Sequence, residues 1–473
     1  MQKITLKNTL TRKKEIFNPV EEGKVKIYAC GVTTYDDCHI GHAMQAILFD
    51  VIRNYFSFVG YDVIYVRNYT DVDDKIIKRA RERGITPLEL SSAMIKSTDE
   101  DMEALGVKPA DQQPKVSEMI PEIIAMIEGI IQNNAAYSTK SGDVYFRVRS
   151  KSDYGKLSNR KPDEMRAGQR DIVKGAKEDP IDFALWKADE TEGASWASPW
   201  GKGRPGWHIE CSAMVKALLG DTIDIHGGGL DLVFPHHENE IAQSESCNGC
   251  SYVNYWMHSG LMSINNQKMS KSLGNHISIK DFLQQYPAEV LRLSYLNQRY
   301  SSNVDFKVDL FKKNRSRLLY YYETMLEMKQ AAKKAEANGQ FHEEFDPTTM
   351  MQSFHEAMSD DFNFGKAISA NGKNTLIAIS ATGEEEGKVY VYERGTENGQ
   401  YSLLQIIDSP TENIFSSSSQ VFDTGVQYGD NLALSDDGLH LIVGVPNATN
   451  IRSNFKGTYN SSNDYNVNEI VEY

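Results

Sequence analysis

The chain contains 473 residues with a net charge of −14, and 40% of its residues are hydrophobic and 25% charged. This length and composition indicate a soluble globular protein of roughly three domains, and no apolar run of about 18 residues predicts a membrane helix. The polar N-terminus lacks the apolar stretch of a signal peptide, and five cysteines, an odd number, argue against a disulfide framework. We therefore expect a cytoplasmic monomer without membrane partners, whose reduced thiols serve as metal ligands or core residues.

The negative charge is concentrated at the C-terminal end of the chain. Residues 364–473 contain 14 acidic and 6 basic side chains, whereas residues 1–363 contain 51 and 45. Net charge therefore neither identifies nor excludes a basic surface for nucleic acid in the first 363 residues.

Residues 28–42, YACGVTTYDDCHIGH, predict a strand that leads through a turn into a helix starting near Gly41. Such a turn is suited to phosphate, because the helix N-terminus offers free N–H groups and the positive end of the helix dipole. His39 and His42 bracket Gly41, and the thiol of Cys30 precedes them. We predict that this segment holds a nucleotide and supplies part of a metal site.

The following segments alternate between helical and strand patterns. Apolar residues at helical spacing over 43–59, an apolar strand at 63–68 and a charged helix at 71–84 imply a βαβ unit in a parallel sheet. We interpret 117–205 as an insertion between two halves of this sheet. Further elements are predicted as helices at 86–105, 117–133, 206–219, 235–246, 279–298 with a break at Pro287, and 308–338, and as strands at 142–149, 222–225 and 253–258, with the glycine run 227–229 after the second of these strands.

The character of the sequence changes near Asn363. Helical patterns stop, and short alternating strands are predicted at 375–380, 388–393 and 439–445. The segment from Phe364 resembles the segment from Tyr428, since both run from an aromatic residue and glycine through a tight turn into a strand. This internal repeat favours propeller-like blades, and two similar hairpins in a small sandwich are the alternative.

Candidate metal ligands lie in three separate segments. Cys211 lies in a predicted helix, and His236 and Glu240 are four residues apart, which places them on one helix face. Together with Cys30 they would form a thiolate-rich site suited to Zn²⁺, although spacing alone does not bring the segments together. An alternative metal site is half of a zinc knuckle at Cys247 and Cys250, but no second cysteine pair follows it.

The sequence KMSKS occupies residues 268–272 in a loop rich in glycine and asparagine. Lys268 and Lys271 can bring positive charge to a polyphosphate and stabilise a leaving pyrophosphate. Taken alone, the segment would favour the interpretation as a solvated charged loop.

The combination of CHIGH at 38–42 with KMSKS resembles the two signatures of class I aminoacyl-tRNA synthetases. The surrounding sequences YVRNYTDVDDKIIKRA, GRPGWHIECSAM and DIHGGGLDLVFPHHENEIAQSE are similar to cysteinyl-tRNA synthetases, and the resemblance extends from near the N-terminus to residue 363. It implies an α/β fold with a Rossmann-like parallel-sheet catalytic domain at 1–116 and 206–275. It also implies an inserted connective region at 117–205, and a stem-contact region with a truncated helical bundle at 276–363.

The resemblance also implies roles for individual residues. The expected reaction activates L-cysteine to cysteinyl-adenylate with release of pyrophosphate and then transfers cysteine to tRNA(Cys). ATP with Mg²⁺ is the expected substrate, and one Zn²⁺ per chain is expected to select the substrate thiolate. The implied catalytic and ATP-binding residues are His39, Gly41, His42, Lys268 and Lys271. The implied residues of the amino acid pocket are Gly31, Thr33, Thr70, Trp207, His226 and Asp231, and the implied zinc ligands are Cys30, Cys211, His236 and Glu240.

The sequence departs from that family after residue 363. The family continues into a helical bundle and an anticodon-binding region, whereas residues 364–473 resemble FG-GAP blades of integrin-like propellers, of which two are too few to close a ring. We interpret this tail as a fusion. Two alternatives remain open, namely a ligase that passes activated cysteine to a small amine, as in mycothiol biosynthesis, and an inactive chimera whose β tail is a binding module.

Overall fold

The architecture was analysed in a computed structural model of the chain. It describes residues 3–163, 177–264, 267–268, 276–307, 309–320, 322, 348–365, 367, 376–381, 388–394, 401–408, 431–434 and 441–444. These residues form two compact units, one of residues 1–312 with 358–363 and the other of residues 313–357 with 364–473. Among them, no helix combines the length and apolar character that crossing a bilayer requires.

The first unit is built on a four-stranded parallel sheet, as predicted. Its strands are β3 (Lys24–Ala29), β4 (Asp62–Arg67), β9 (Ile223–Gly229) and β10 (Val253–Ser259). They lie in the order β10-β9-β3-β4, so the chain leaves the centre of the sheet in opposite directions after β3 and after β9. A crevice opens at such a switch point beyond the carboxyl ends of the strands, which is where α/β proteins bind ligands.

The crossover from β3 to β4 runs through helix α1 (Ile40–Phe58), which confirms the helix predicted to start near Gly41. The side chain of His39 caps its first turn. The two helices that follow β4 are α2 (Asp74–Arg83) and α3 (Pro87–Ala104). Thr86 and Glu89 form a reciprocal capping box at the start of α3, and Pro87 occupies its first turn, which explains why the helix begins where the prediction of 86–105 places it.

The inserted region contains more regular structure than its sequence indicates. Helix α4 (Ile120–Gln132) precedes an antiparallel sheet in the order β5-β6-β7-β8, made of β5 (Ala136–Ser138), β6 (Val144–Phe146), β7 (Phe183–Ala188) and β8 (Gly203–Pro205). The sequence predicts one strand at 142–149 and no regular element at 150–205, so β5, β7 and β8 correct this prediction. Ile127, Phe146 and Trp186 from this region are buried in the same core cluster as Tyr28 and Trp256 of the parallel sheet.

Two features around β9 differ from the prediction, and one of them depends on glycine. Helix α5 (Trp207–Leu218) precedes the strand as predicted. The strand, however, continues through the glycine run instead of ending before it. The reason is packing, because a Cβ atom on Gly227 would lie 1.8 Å from Cζ of Phe49 on α1. The next helix, α6 (Glu238–Asn248), is preceded by a π-helical turn at Val233–His237, so the predicted start near Pro235 falls in this turn and not in regular α-helix.

The remaining elements of the first unit surround the sheet. The hairpin of β1 (Thr5–Asn8) and β2 (Lys13–Ile16) is bound by residues 359–361, because the Thr5 N–H donates to the Ser359 carbonyl (2.8 Å) and the Asp361 N–H donates to the Thr5 carbonyl (2.8 Å). Beyond β10 the chain forms β11 (Met262–Ile264), β12 (Gln267–Lys268), α7 (Ile279–Leu283), α8 (Ala288–Leu296) and β13 (Val304–Phe306).

The second unit contains helical and β elements. Helix α9 occupies residues 309–320, and α10 (Thr348–Met358) follows it in the sequence. The tail forms an antiparallel sheet β14-β15-β16, made of β14 (Leu376–Ala381), β15 (Lys388–Arg394) and β16 (Tyr401–Asp408), and a hairpin of β17 (Asn431–Leu434) and β18 (Leu441–Gly444). The predicted strands match β14, β15 and β18, whereas β16 was not predicted.

Candidate active site and metal centre

A cavity of about 380 Å³ lies at the carboxyl ends of the parallel strands. Loops after β3, β4, β9 and β10 line it, together with the first turns of α1 and α5. It brings together most of the residues that the sequence singled out, which are Cys30, Gly31, Thr33, His39, Gly41, His42, Thr70, Trp207, Cys211, Asp231 and His236. Among the described residues, His226 and Glu240 lie behind this lining, and both are fully buried.

The two signature histidines are held by the first turn of α1. Nδ1 of His39 accepts a hydrogen bond from the Gly41 N–H (3.1 Å), and Nδ1 of His42 accepts one from the His39 N–H (3.2 Å). Their rings stack with centroids 3.7 Å apart. A Cβ atom on Gly41 would lie 2.9 Å from the His39 ring, so glycine keeps the turn open to a ligand.

His42 is a neutral imidazole. Burial, reinforced by the nearby His39 and His276, lowers the pKa of His42 to about 3. A phosphate at this turn would therefore meet hydrogen-bonding imidazoles and the dipole of α1, and not a fixed positive charge on His42. The lysines of KMSKS are the positive charges that the sequence predicts for this site.

The described ends of the KMSKS segment are attached close to this turn. On the entry side β12, which contains the backbone of Lys268, pairs with β11, and Met262 of β11 lines the cavity. On the exit side the Ile40 N–H donates to the Ile277 carbonyl (3.1 Å) and the Ile279 N–H donates to the Cys38 carbonyl (3.0 Å). Lys271 lies outside the described residues, as does the side chain of Lys268.

The four predicted metal ligands form one buried cluster, with a ligand atom of each lying within 4.8 Å of the others. The sulfurs of Cys30 and Cys211 are 3.9 Å apart, and the Cys211 sulfur is 3.6 Å from Nε2 of His236. Tetrahedral zinc, with Zn–S near 2.3 Å and Zn–N near 2.0 Å, requires separations of about 3.8 Å and about 3.5 Å. Two sulfurs, an imidazole and a carboxylate at these spacings fit Zn²⁺.

The electrostatics of the cluster favour a bound cation. Burial alone would lower the pKa of His236, but the Glu240 carboxylate, 3.0 Å away, and the Cys211 thiolate outweigh it and raise the pKa to about 10. The hydrogen bond from the Cys30 thiol and the neighbouring His236 lower the pKa of Cys211 to about 6 against the effect of burial. The negative charges of Glu240 and Cys211 thus favour a proton on His236, and a metal ion bound by the same ligands would replace that proton.

Further side chains contact these ligands from the side away from the cavity. Nε2 of His226 lies 2.8 Å from Oε2 of Glu240, and the Tyr252 hydroxyl donates to the same oxygen (3.1 Å). Nε2 of His237 lies 3.3 Å from the Cys30 sulfur. Such partners orient metal ligands and tune their basicity.

A hydrogen-bonded chain extends from the cluster to the N-terminal hairpin. Nδ1 of His237 lies 2.7 Å from Nε2 of His258, and Nδ1 of His258 lies 2.8 Å from the Thr9 hydroxyl. Burial lowers the pKa of His258 to about 3, so its ring is neutral. Sequence reasoning did not identify His237, His258 or Tyr252, although the paired histidines at 236–237 were a visible signal.

A second ligand set is formed by Cys30, His226, His237 and Glu240. It shares two members with the first set. Of its members only Cys30 lines the cavity, whereas Cys30, Cys211 and His236 of the first set all do. The first set is therefore the one that a substrate in the cavity can reach.

The predicted amino acid pocket is partly built from backbone. The Gly31 N–H donates to Oδ1 of Asn68 (2.9 Å), and a Cβ atom on Gly31 would lie 1.5 Å from the Asn68 carbonyl oxygen. Thr33 and Thr70 form a parallel bridge between the loops after β3 and β4. The Trp207 ring is 40% exposed and lies 4.3 Å from the His236 ring between centroids, so it forms a wall beside the metal cluster.

The alternative zinc knuckle finds no support in the described structure. Cys250 is exposed, with its sulfur 3.6 Å from the Thr222 hydroxyl, and Cys247 is half-buried. Within the part of the chain that the structure describes, no group of three or more candidate ligands includes either cysteine.

The fold and the site are those of a class I aminoacyl-tRNA synthetase catalytic domain. They combine a parallel sheet, a cavity at its switch point and a helix N-terminus bracketed by two histidines. Residues 16–316 match the family described as "tRNA synthetases class I (C) catalytic domain". The chain belongs to the cysteine–tRNA ligase family.

The similarity covers most of the chain. The cysteine–tRNA ligase of Marinomonas sp. (strain MWYL1) is 50% identical over 365 residues, which are 76% of each chain. That of Halorhodospira halophila (strain DSM 244 / SL1) is 46% identical over 386 residues, 81% of this chain and 82% of the relative. A methionyl-tRNA synthetase of Mycobacterium tuberculosis in complex with methionyl-adenylate has the same fold, with a TM-score of 0.57 at 13% identity over 73% of this chain and 81% of that one.

Proposed function

We propose that this chain activates L-cysteine with ATP, releases pyrophosphate, and transfers cysteine to tRNA(Cys) in protein biosynthesis. One observation carries the proposal. The thiolate-rich cluster of Cys30, Cys211 and His236 opens into the same cavity as the phosphate-binding turn of His39 and His42. A substrate held by its sulfur at one end would thus present its carboxylate to the α-phosphate of ATP at the other.

The cluster is proposed to hold one Zn²⁺ through Cys30, Cys211, His236 and Glu240. When bound there, Zn²⁺ would accept the thiolate of the substrate as a further ligand and lower the pKa of that thiol, which selects cysteine over serine. A pocket that relied on hydrogen bonds alone would discriminate poorly between two side chains differing in one atom.

The residues of the chain supply positioning and charge. His39, Gly41 and His42 are proposed to bind the ATP phosphates through imidazole nitrogens and the free N–H groups of α1. Lys268 and Lys271, with Mg²⁺, are proposed to neutralise the leaving pyrophosphate. The amino acid is proposed to lie against the backbone of Gly31, with the remaining walls of the pocket formed by Thr33, Thr70, Trp207 and Asp231. His226 is proposed to act from behind the pocket through Glu240.

The domain boundaries are proposed from the resemblance to cysteinyl-tRNA synthetases. We assign 1–116 with 206–275 to the catalytic domain, 117–205 to the connective insertion and 276–363 to a stem-contact region with a truncated bundle. Residues 364–473 are proposed to be an FG-GAP-like fusion tail in place of the anticodon-binding region. The antiparallel strands β14 to β18 are compatible with this assignment. The chain is proposed to act as a cytoplasmic monomer.

Two assays test the proposal on purified, zinc-loaded full-length chain. ATP–pyrophosphate exchange that requires cysteine and is not supported by serine is expected for the activation step. Acylation of tRNA(Cys) is expected for the transfer step. Absence of exchange would refute the proposal and favour an inactive chimera, whereas exchange without acylation would refute only the transfer and favour a small-amine acceptor.

A further inference from the structure

We propose that Glu238 is a positioning residue that fixes the metal-binding turn and helix against the inserted region. This inference rests on the proposed function, since it concerns the same metal cluster. Glu238 lies between the ligands His236 and Glu240 in sequence, yet it is absent from both ligand groups in the described structure. Its side chain instead points into the inserted region and is buried, with 1% of the residue exposed.

The Glu238 carboxylate is bound by backbone N–H groups of one loop. Oε1 accepts hydrogen bonds from Gly155 (3.0 Å) and Leu157 (3.4 Å), and Oε2 accepts one from Ser158 (2.7 Å). A buried carboxylate is costly unless such donors compensate it, and the buried N–H groups of the loop need an acceptor in return. The loop and the helix therefore hold each other in place.

Neighbouring contacts extend this attachment along the metal-binding segment. The Tyr154 hydroxyl donates to Oδ1 of Asn239 (2.5 Å). On the other side of His236, the Arg160 guanidinium lies 4.4 Å from the centre of the Phe234 ring. The loop thus contacts the chain immediately before His236 and between His236 and Glu240.

The local structure explains why external support is needed. His236 lies in the π-helical turn Val233–His237 before α6, where Phe234 has extended backbone angles (φ −140°, ψ 131°). No side chain caps the start of α6. The separation of 3.0 Å between Nε2 of His236 and Oε1 of Glu240 depends on the direction of this turn. The attachment of Glu238 to the inserted loop fixes that direction and thereby the spacing of two ligands.

The test compares Glu238→Gln with Glu245→Gln in the full-length, zinc-loaded chain. The first change keeps the size of the side chain but turns an NH₂ group toward backbone donors. The second removes ion pairs of the same helix with Lys151 (2.8 Å) and Lys156 (2.6 Å), beyond the ligand Glu240. Both variants lose one charge that faces the same region, so the comparison isolates the position of Glu238.

Two readouts are measured, namely the rate of zinc release to a chromophoric chelator and the KM values for cysteine and ATP in exchange. Glu238→Gln is expected to release zinc at least ~10-fold faster and to raise the KM for cysteine by about 10-fold, with the KM for ATP within about 2-fold. Glu245→Gln should leave all three within about 2-fold. Equal behaviour of the two variants, or an equal rise of both KM values, would overturn the proposal.

Tyr154→Phe provides a second variant if Glu238→Gln does not fold. It keeps the buried ring and removes only the hydrogen bond to Asn239, so faster zinc release by about 2-fold to 5-fold is expected. Unchanged zinc release would contradict the claim that the attachment of residues 238–239 to the inserted loop holds the metal ligands in place. Because zinc release is measured without substrates, it tests Glu238 even if the wild-type chain shows no exchange, an outcome that would refute the proposed function alone.

Discussion

The sulfur atoms of Cys30 and Cys211 lie 3.9 Å apart, although the residues are separated by 181 positions in the sequence. Cys30 follows the central strand β3, and Cys211 lies on α5 beyond the whole inserted region. Their meeting requires both halves of the parallel sheet to be assembled. A metal ion bound by both sulfurs would therefore find its complete site only after both halves of the sheet have folded. The same ion would then select the substrate.

Replacing Cys211 by serine should abolish metal binding and activation together. A serine hydroxyl is not deprotonated near neutral pH and is a poor zinc ligand, so we expect zinc content well below one per chain and exchange reduced on the order of 100-fold or more. The measurement is metal analysis followed by cysteine-dependent exchange. Cys250→Ser is the matched control and should retain both. Loss of zinc in the control and not in Cys211→Ser would instead identify the zinc knuckle.

Two substitutions at His39 should separate its structural and functional roles. Asparagine is a good N-cap and can still accept the Gly41 hydrogen bond, whereas alanine cannot. His39→Asn should keep the melting temperature and lower kcat for exchange by about 100-fold. His39→Ala should lose similar activity and also about 1 kcal/mol of stability. Full activity in the asparagine variant would mean that the imidazole serves only as a cap.

Gly227→Ala should destabilise the fold through overpacking. The added Cβ would lie 1.8 Å from Cζ of Phe49, which is itself fully buried on α1. We expect a loss of about 1–3 kcal/mol in the free energy of unfolding, measured by denaturant titration. Adding Phe49→Leu should recover part of this loss, because the smaller side chain leaves room. If the double variant were less stable than the sum of the single losses, the assigned clash would be wrong.

Phe362→Ala should show that residues 358–363 belong to the catalytic unit. Phe362 is fully buried against the rings of Tyr55 and Phe56, with centroids 5.9 and 5.7 Å away. Removing it should cost about 3–5 kcal/mol in the free energy of unfolding. Phe58→Ala, at a ring that is 59% exposed, should change stability by about 0.5 kcal/mol or less. Similar effects of the two changes would contradict this packing.

Local patterns predicted the parts of the fold that depend on local physics. The apolar spacing of α1, the Thr86–Pro87 start of α3 and the spacing of His236 and Glu240 each act within a few residues, and the structure contains all three. The convergence of Cys30 with Cys211 followed only from the family resemblance. Sequence spacing across the inserted region carries no information on distance in space.

The features that were missed depend on tertiary contacts. The glycine run lies in β9 because the Phe49 ring fills the space where side chains would be. The short strands of the inserted region form through antiparallel pairing, and their three to six residues are too few for a clear alternating pattern. Tyr252 and His237 lie outside the predicted ligand set, and only the folded chain brings them within hydrogen-bonding distance of Glu240 and Cys30.

The direct test of the central claim is absorption spectroscopy of the chain with Co²⁺ in place of zinc. Thiolate bonded to Co²⁺ gives a strong charge-transfer band that a hydroxyl ligand does not give. If the substrate sulfur joins the metal bound by Cys30, Cys211, His236 and Glu240, adding cysteine should intensify this band, and adding serine should leave it unchanged. An unchanged spectrum with saturating cysteine would contradict the claim that the metal coordinates the sulfur of the substrate.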